Sequence, residues 1–261
     1  MRSETLAPVL SMHQSTTRMV AAAAAGLVAQ PSRGYEPPLQ AACPNFGYAF
    51  ECLGKATLIY HNVAAGSEIP DDEQIKSWAS GIGRTGGATR KAMRGHHVQE
   101  LVRTVLDQCE GDVPELRRLI EQPFVQQSLA VVTAFHAFLR YDWIRSLRSE
   151  EHGIAFDATV FMLQQLHLAD MPTDLASYPF EQAEWHNKTF LPRVADALVD
   201  VYFALTLGLA RTAESLGERS GRLFIEHCVI ELPERAEHLL GLNVGCRWDE
   251  PTRGAWGEYC L

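Results

Sequence analysis

Leu129 to Leu147 read LAVVTAFHAFLRYDWIRSL. Wound at about 3.6 residues per turn, this stretch has apolar side chains pointing almost all the way round. Val132, Ala134, Phe135, Phe138, Leu139, Tyr141, Trp143, Ile144 and Leu147 leave only a narrow polar strip of Thr133, His136 and Arg140. A helix that is apolar on every side has to be enclosed by other elements. The stretch is about as long as a bilayer span, but Arg140, Asp142 and Arg145 interrupt it. It therefore predicts the core of a soluble helical protein and no membrane partner.

A second apolar helix is expected from Pro192 to about Ser215, where only Asp200 and Thr206 interrupt the run Val199–Ala210. Between and around these two, helical periodicity recurs. From Phe46 to about Val63 one face carries Phe46, Ala49, Phe50, Leu53, Ala56, Thr57 and Tyr60. Glu51 and Lys55 lie opposite at ion-pair spacing. From about Ala88 to Cys109 the inward set is Val98, Leu101, Val102, Val105, Leu106 and Cys109. Further helices are expected near 113–122, 156–169, 180–191 and 221–240. No stretch alternates as a strand would. The fold class is all-α, a single multi-helix domain built around buried helices at about 125–147 and 192–215. Residues 46–261 form the core domain. Residues 1–45 supply a peripheral N-terminal helix and a proline-rich linker over 31–45.

A net charge of −9 removes the positive surface that nonspecific nucleic-acid binding requires. The six cysteines form no CxxC pair and no Cys/His cluster with zinc spacing. Reduced thiols in the cytoplasm are expected. Met19 to Ala29 is apolar and follows Arg18, but it is mostly alanine, which suits a helix better than a signal peptide. A homodimer is compatible with all of this.

Gly81-Ile82-Gly83-Arg84-Thr85-Gly86 satisfies G-x-G-x-x-G. The residues before it are a polar helix and not an apolar strand, so the dinucleotide reading lacks its context. A turn carrying Arg84, Thr85, Gly86 and Gly87, with Arg90, Lys91 and Arg94 following, can hold a carboxylate or phosphate on backbone N–H groups. Thr85-Gly86-Gly87 resembles the substrate loop of tryptophan 2,3-dioxygenase-like haem enzymes. The resemblance implies a bound haem, an aromatic amino-acid substrate and an iron-binding histidine upstream, here His61. That family places the loop near its C-terminus, whereas most of this chain follows it.

His61, His97 and His186 project at or near apolar faces, and His136 lies in the buried helix. A buried histidine needs a hydrogen bond, a metal or a haem iron. His61, His136 and His186 are the candidate metal ligands. No histidine has a glutamate three residues before it, and His-Glu-x-x-His is absent, which disfavours a di-iron bundle. His227, Glu231, Glu234 and His238 form a stripe, but apolar residues occupy the opposite face, so the stripe should meet water. Asp142 and Asp200, in buried helices, are candidate acids or bases. No G-x-S-x-G elbow occurs.

These readings favour an iron-dependent oxidoreductase, haem or non-haem, acting on a small aromatic or amino-acid-like substrate in an internal pocket. A non-catalytic helical ligand-binding or interaction protein and a cofactor-free helical lyase or cyclase remain as alternatives. Under the iron reading, protein expressed with iron and haem precursor shows a Soret band or stoichiometric iron. His61→Ala, His136→Ala or His186→Ala then lowers occupancy, and unchanged occupancy in all three removes the reading.

Overall fold

Proline marks where four of the helices begin. The computed structural model describes residues 7–29, 38–66, 97–137, 166–177 and 179–215. Among them lie seven α-helices and no strand. They are α1 (Ala7–Ala29), α2 (Pro38–Ala64), α3 (Val98–Gln108), α4 (Pro114–Ile120), α5 (Pro123–Ala137), α6 (Pro179–Trp185) and α7 (Leu191–Ser215). Proline at a first helical position loses no hydrogen bond, because that N–H has no intrahelical partner, and its ring presets φ. Gly66, at φ 95°, follows the end of α2, and its N–H donates to the Val63 carbonyl at 3.0 Å. A 3₁₀ turn, Thr173–Ser177, precedes α6, and a π turn, His186–Phe190, joins α6 to α7.

The enclosed element is α7. From Phe190 to Ala213 every residue is buried except Arg193 and Arg211. Around it, α2 packs against α1, α3, α5 and α7. The α2 face expected from the sequence, Phe46 through Tyr60, is buried as a set, and so is the α3 face from Val98 to Cys109. Among the described residues no helix is long and apolar enough to cross a membrane.

Three expectations change. The helix expected from Phe46 starts at Pro38, so residues 38–45 are helical and Pro44 lies inside α2. Pro44 leaves the Gln40 carbonyl without its regular N–H partner, a loss that the local pattern read as a break. The helix over 7–29, expected at the periphery, buries Val20, Ala23, Ala24 and Leu27 and packs against α2 and α7. Finally, the helix expected to be buried from about residue 125 is exposed in its first turns, at Pro123, Gln126 and Gln127, and only from Ser128 to His136 is no residue exposed. Residues 138–147 of the opening stretch lie outside the described residues, as do the helices expected over 88–96, 156–165 and 221–240.

Polar contacts fix how these helices align. Tyr202 Oη lies 2.8 Å from both Thr16 Oγ1 and Thr17 Oγ1, and 3.3 Å from the His13 carbonyl oxygen. This sets the register of α1 on α7. Arg211 donates to both carboxylate oxygens of Glu115, at 2.5 and 2.6 Å, and to the Asp112 carbonyl at 2.9 Å. Burial alone raises the Glu115 pKa, but the Arg211 hydrogen bonds and charge outweigh it and hold the carboxyl below its ordinary range.

Close approach is made by glycine. A Cβ at Gly47 would collide with the His136 ring, and one at Gly208 with the Val113 side chain. Gly26, by contrast, is exposed and has nothing within 4 Å of a built Cβ. Gly47→Ala is expected to cost about 1–3 kcal/mol through overpacking. Gly26→Ala is expected to gain about 0.5–1 kcal/mol from helix propensity. Urea unfolding of the two variants checks the pair, and a Gly47→Ala variant as stable as the parent refutes the His136 contact.

Candidate functional site

The site grows out of a conflict between proline and the helix. Pro192 is the second residue of α7, in a helical run that begins at Pro179. Its ring would meet the Lys188 carbonyl in regular α geometry, and it has no N–H to donate. The chain stays helical by widening one turn: the Leu191 N–H donates to the His186 carbonyl, five residues back. The sequence marked Pro192 as the opening of a new helix, but the backbone runs through it. Such π turns often sit at functional sites.

The widened turn carries His186 and Phe190, whose rings stack at 5.2 Å. The helical segment 166–170 lies against it. His167 meets His186 edge-on at 4.9 Å, Phe190 at 5.2 Å and Trp185 at 5.2 Å between ring centroids. Phe124 of α5 closes the group edge-on to Phe190 at 6.3 Å. Arg193 lies over the Phe124 ring at 4.4 Å and pairs with Asp170.

Two buried polar atoms here have no hydrogen-bond partner, His167 Nε2 and Asp170 Oδ2. Leaving such atoms unmatched costs about 1–3 kcal/mol each. Burial depresses the His186 pKa to about 4, and the neighbouring His167 adds to the shift. Burial also lowers the His167 pKa, partly countered by Asp170. Asp170 is raised by burial, against the pull of Arg193 and His167. At neutral pH both imidazoles are uncharged, each with one nitrogen lone pair.

The three histidines expected to bind metal are not brought together. His186 meets His167. His61, in the last turn of α2, has Nδ1 3.3 Å from Asp112 Oδ2. His136, on α5, is buried with Nε2 2.8 Å from Glu51 Oε2, and Glu51 also takes Lys55 Nζ at 2.5 Å. Glu51 and His61 are ten residues apart on α2, about 15 Å along its axis, so His61 and His136 cannot share one ion. Among the described residues no group of three or more His, Cys, Asp or Glu is placed to hold a metal. Asp200 is fully buried in α7. Asp142 and the turn Arg84, Thr85, Gly86 and Gly87 lie outside the described residues.

His167, Asp170 and Trp185 went unnoticed in the sequence. The pattern sought was a glutamate three residues before a histidine. The reverse order, His167 followed three residues later by Asp170, places the same two chemistries on one helical face.

No known family, curated protein or solved structure matches this chain. The likeness at Thr85-Gly86-Gly87 therefore stands on those three residues.

The His186 pKa generates a test of the site's packing. Its folded value lies below the ordinary 6.5, so unfolding takes up a proton between the two. Stability from this group is present above about pH 6.5 and is lost as pH falls toward 4. His186→Asn should flatten the decline of the urea midpoint across that window. A variant whose profile parallels the parent's would show His186 to be hydrated.

Proposed function

We propose that this chain is a helical small-molecule-binding protein whose ligand docks at the π turn. The observation that carries this reading is the pair of buried, unmatched polar atoms, His167 Nε2 and Asp170 Oδ2, set among Trp185, Phe190 and Phe124. A few converging polar groups inside an aromatic wall are the usual make-up of a small-ligand site. Asp170 Oδ2 accepts hydrogen bonds, so it calls for an amine or hydroxyl donor. The aromatic rings call for a flat apolar body. A small aromatic amine or amino-acid-like molecule meets both demands.

The oxidoreductase expectation keeps one foothold, because His186 belongs to this cluster. His61 and His136 point to other partners, so they do not complete an iron site with it. A cofactor-free lyase or cyclase would act through Asp142 or Asp200; Asp142 lies outside the described residues, and Asp200 is fully enclosed in α7.

Thermal-shift measurements with tyramine, phenethylamine, tryptophan and tyrosine check the reading. At least one should raise Tm saturably, as any ligand that binds only the folded state must. Asp170→Asn should weaken that rise and His167→Ala should abolish it. No shift from any of the four, or a shift retained in both variants, overturns it.

A further inference from the structure

We propose that His167 and His186 together form a two-imidazole binding site for a borderline divalent transition-metal ion, of the Ni²⁺, Cu²⁺ or Zn²⁺ kind. The inference deepens the docking reading above and rests on it for location, since the metal would sit where the ligand's polar group arrives.

The geometry of the two rings carries the argument. Their centroids are 4.9 Å apart and their planes are inclined at 69°. Two imidazoles bound side by side to one ion, with metal–nitrogen distances near 2.0–2.1 Å, have centroids about 5 Å apart. The observed separation matches that spacing. His167 Nε2 is buried and without a partner, so a donor atom is already withdrawn from water and committed to nothing else. Each ring is also held. Phe190 stacks on His186, and Trp185 and Phe190 flank His167.

The donor set decides the class of ion. Neutral imidazole nitrogen suits nickel, copper and zinc, whereas magnesium and calcium demand oxygen. Asp170 follows His167 by one helical turn and has Oδ2 unmatched, but Arg193 holds its other oxygen. No three-donor group is assembled there among the described residues, so the site has the two imidazoles as its ligands from the described chain. The remaining coordination positions fall to water or to the amine or hydroxyl of a docked molecule. A metal with open positions is what ligand binding or chemistry at such a centre requires.

The test uses the full-length chain, untagged and stripped with EDTA. Ni²⁺ is titrated while tryptophan emission is followed, because Trp185 is 5.2 Å from His167. One saturable quenching site is expected, together with broadening of the His167 and His186 imidazole resonances. Mg²⁺ and Ca²⁺ should have no effect. His167→Gln and His186→Gln should each weaken Ni²⁺ binding by about tenfold or more, and His61→Ala should leave it unchanged. Circular dichroism identifies a variant that has not folded, and the resonance broadening in the parent then decides the outcome alone. Absence of saturable quenching in the parent, broadening confined to other histidines, or binding retained in both Gln variants overturns the proposal. Repeating the tyramine and tryptophan measurements in EDTA separates the two readings. Docking that persists without a nickel site removes the metal and keeps the ligand. A nickel site without docking does the reverse.

Discussion

The structure depends on one constraint: α7 has no face that water can accept. A helix of this kind is stable only when every side is covered. Each large apolar side chain so enclosed contributes about 1.5–3 kcal/mol. The neighbours are arranged to supply that cover, with α1, α2, α4 and α5 all packed against α7. The two partly exposed residues in the enclosed stretch are both arginines, Arg193 near its start and Arg211 near its end. Each is tied to a carboxylate on a neighbouring element, Asp170 and Glu115 respectively. The helix is thus greasy along its length and pinned by charge at its two ends.

Apolar cover alone would let the helices slide, since it has no direction. The polar contacts remove that freedom. Tyr202 reaches Thr16 and Thr17 across the α1–α7 seam. His136 rests on the bare backbone at Gly47 while its other edge meets Glu51 one turn on. Each contact is satisfied in one alignment only, so each selects a register as well as adding attraction. The Glu51–Lys55 pair, which looks like ordinary surface decoration in one dimension, is half of a partly buried link between α2 and α5.

Periodicity made the fold class legible. The inward faces of α2 and α3 were readable residue by residue, because a half-buried amphipathic helix writes its orientation into the spacing of its apolar positions. Such a pattern does not say which of two strongly apolar helices is the more enclosed one, nor that the first turns of α5 meet water at Gln126 and Gln127. The extent of α2 was hidden by Pro44, whose local cost is met by packing that no local rule contains. The site was legible in part. His186 stood out by its apolar neighbours, but its companion His167 did not, because a ring contact between separate segments has no signature in spacing. Asp200 was read correctly as lying in a buried helix, but burial on every side also shuts it away from substrates.

The π turn before Pro192 also has a meaning in terms of chain length. It holds one residue more than a regular helix would, so it is a stored insertion. The five residues of the wide turn cover nearly the same rotation as four residues of α-helix, so closing it by one residue would leave the upstream chain nearly in phase with α7. The ring of Pro192 would then meet the carbonyl four residues before it, the clash that the wide turn avoids. The spare residue is therefore tied to the proline that follows it, and the two can be lost together more readily than either alone.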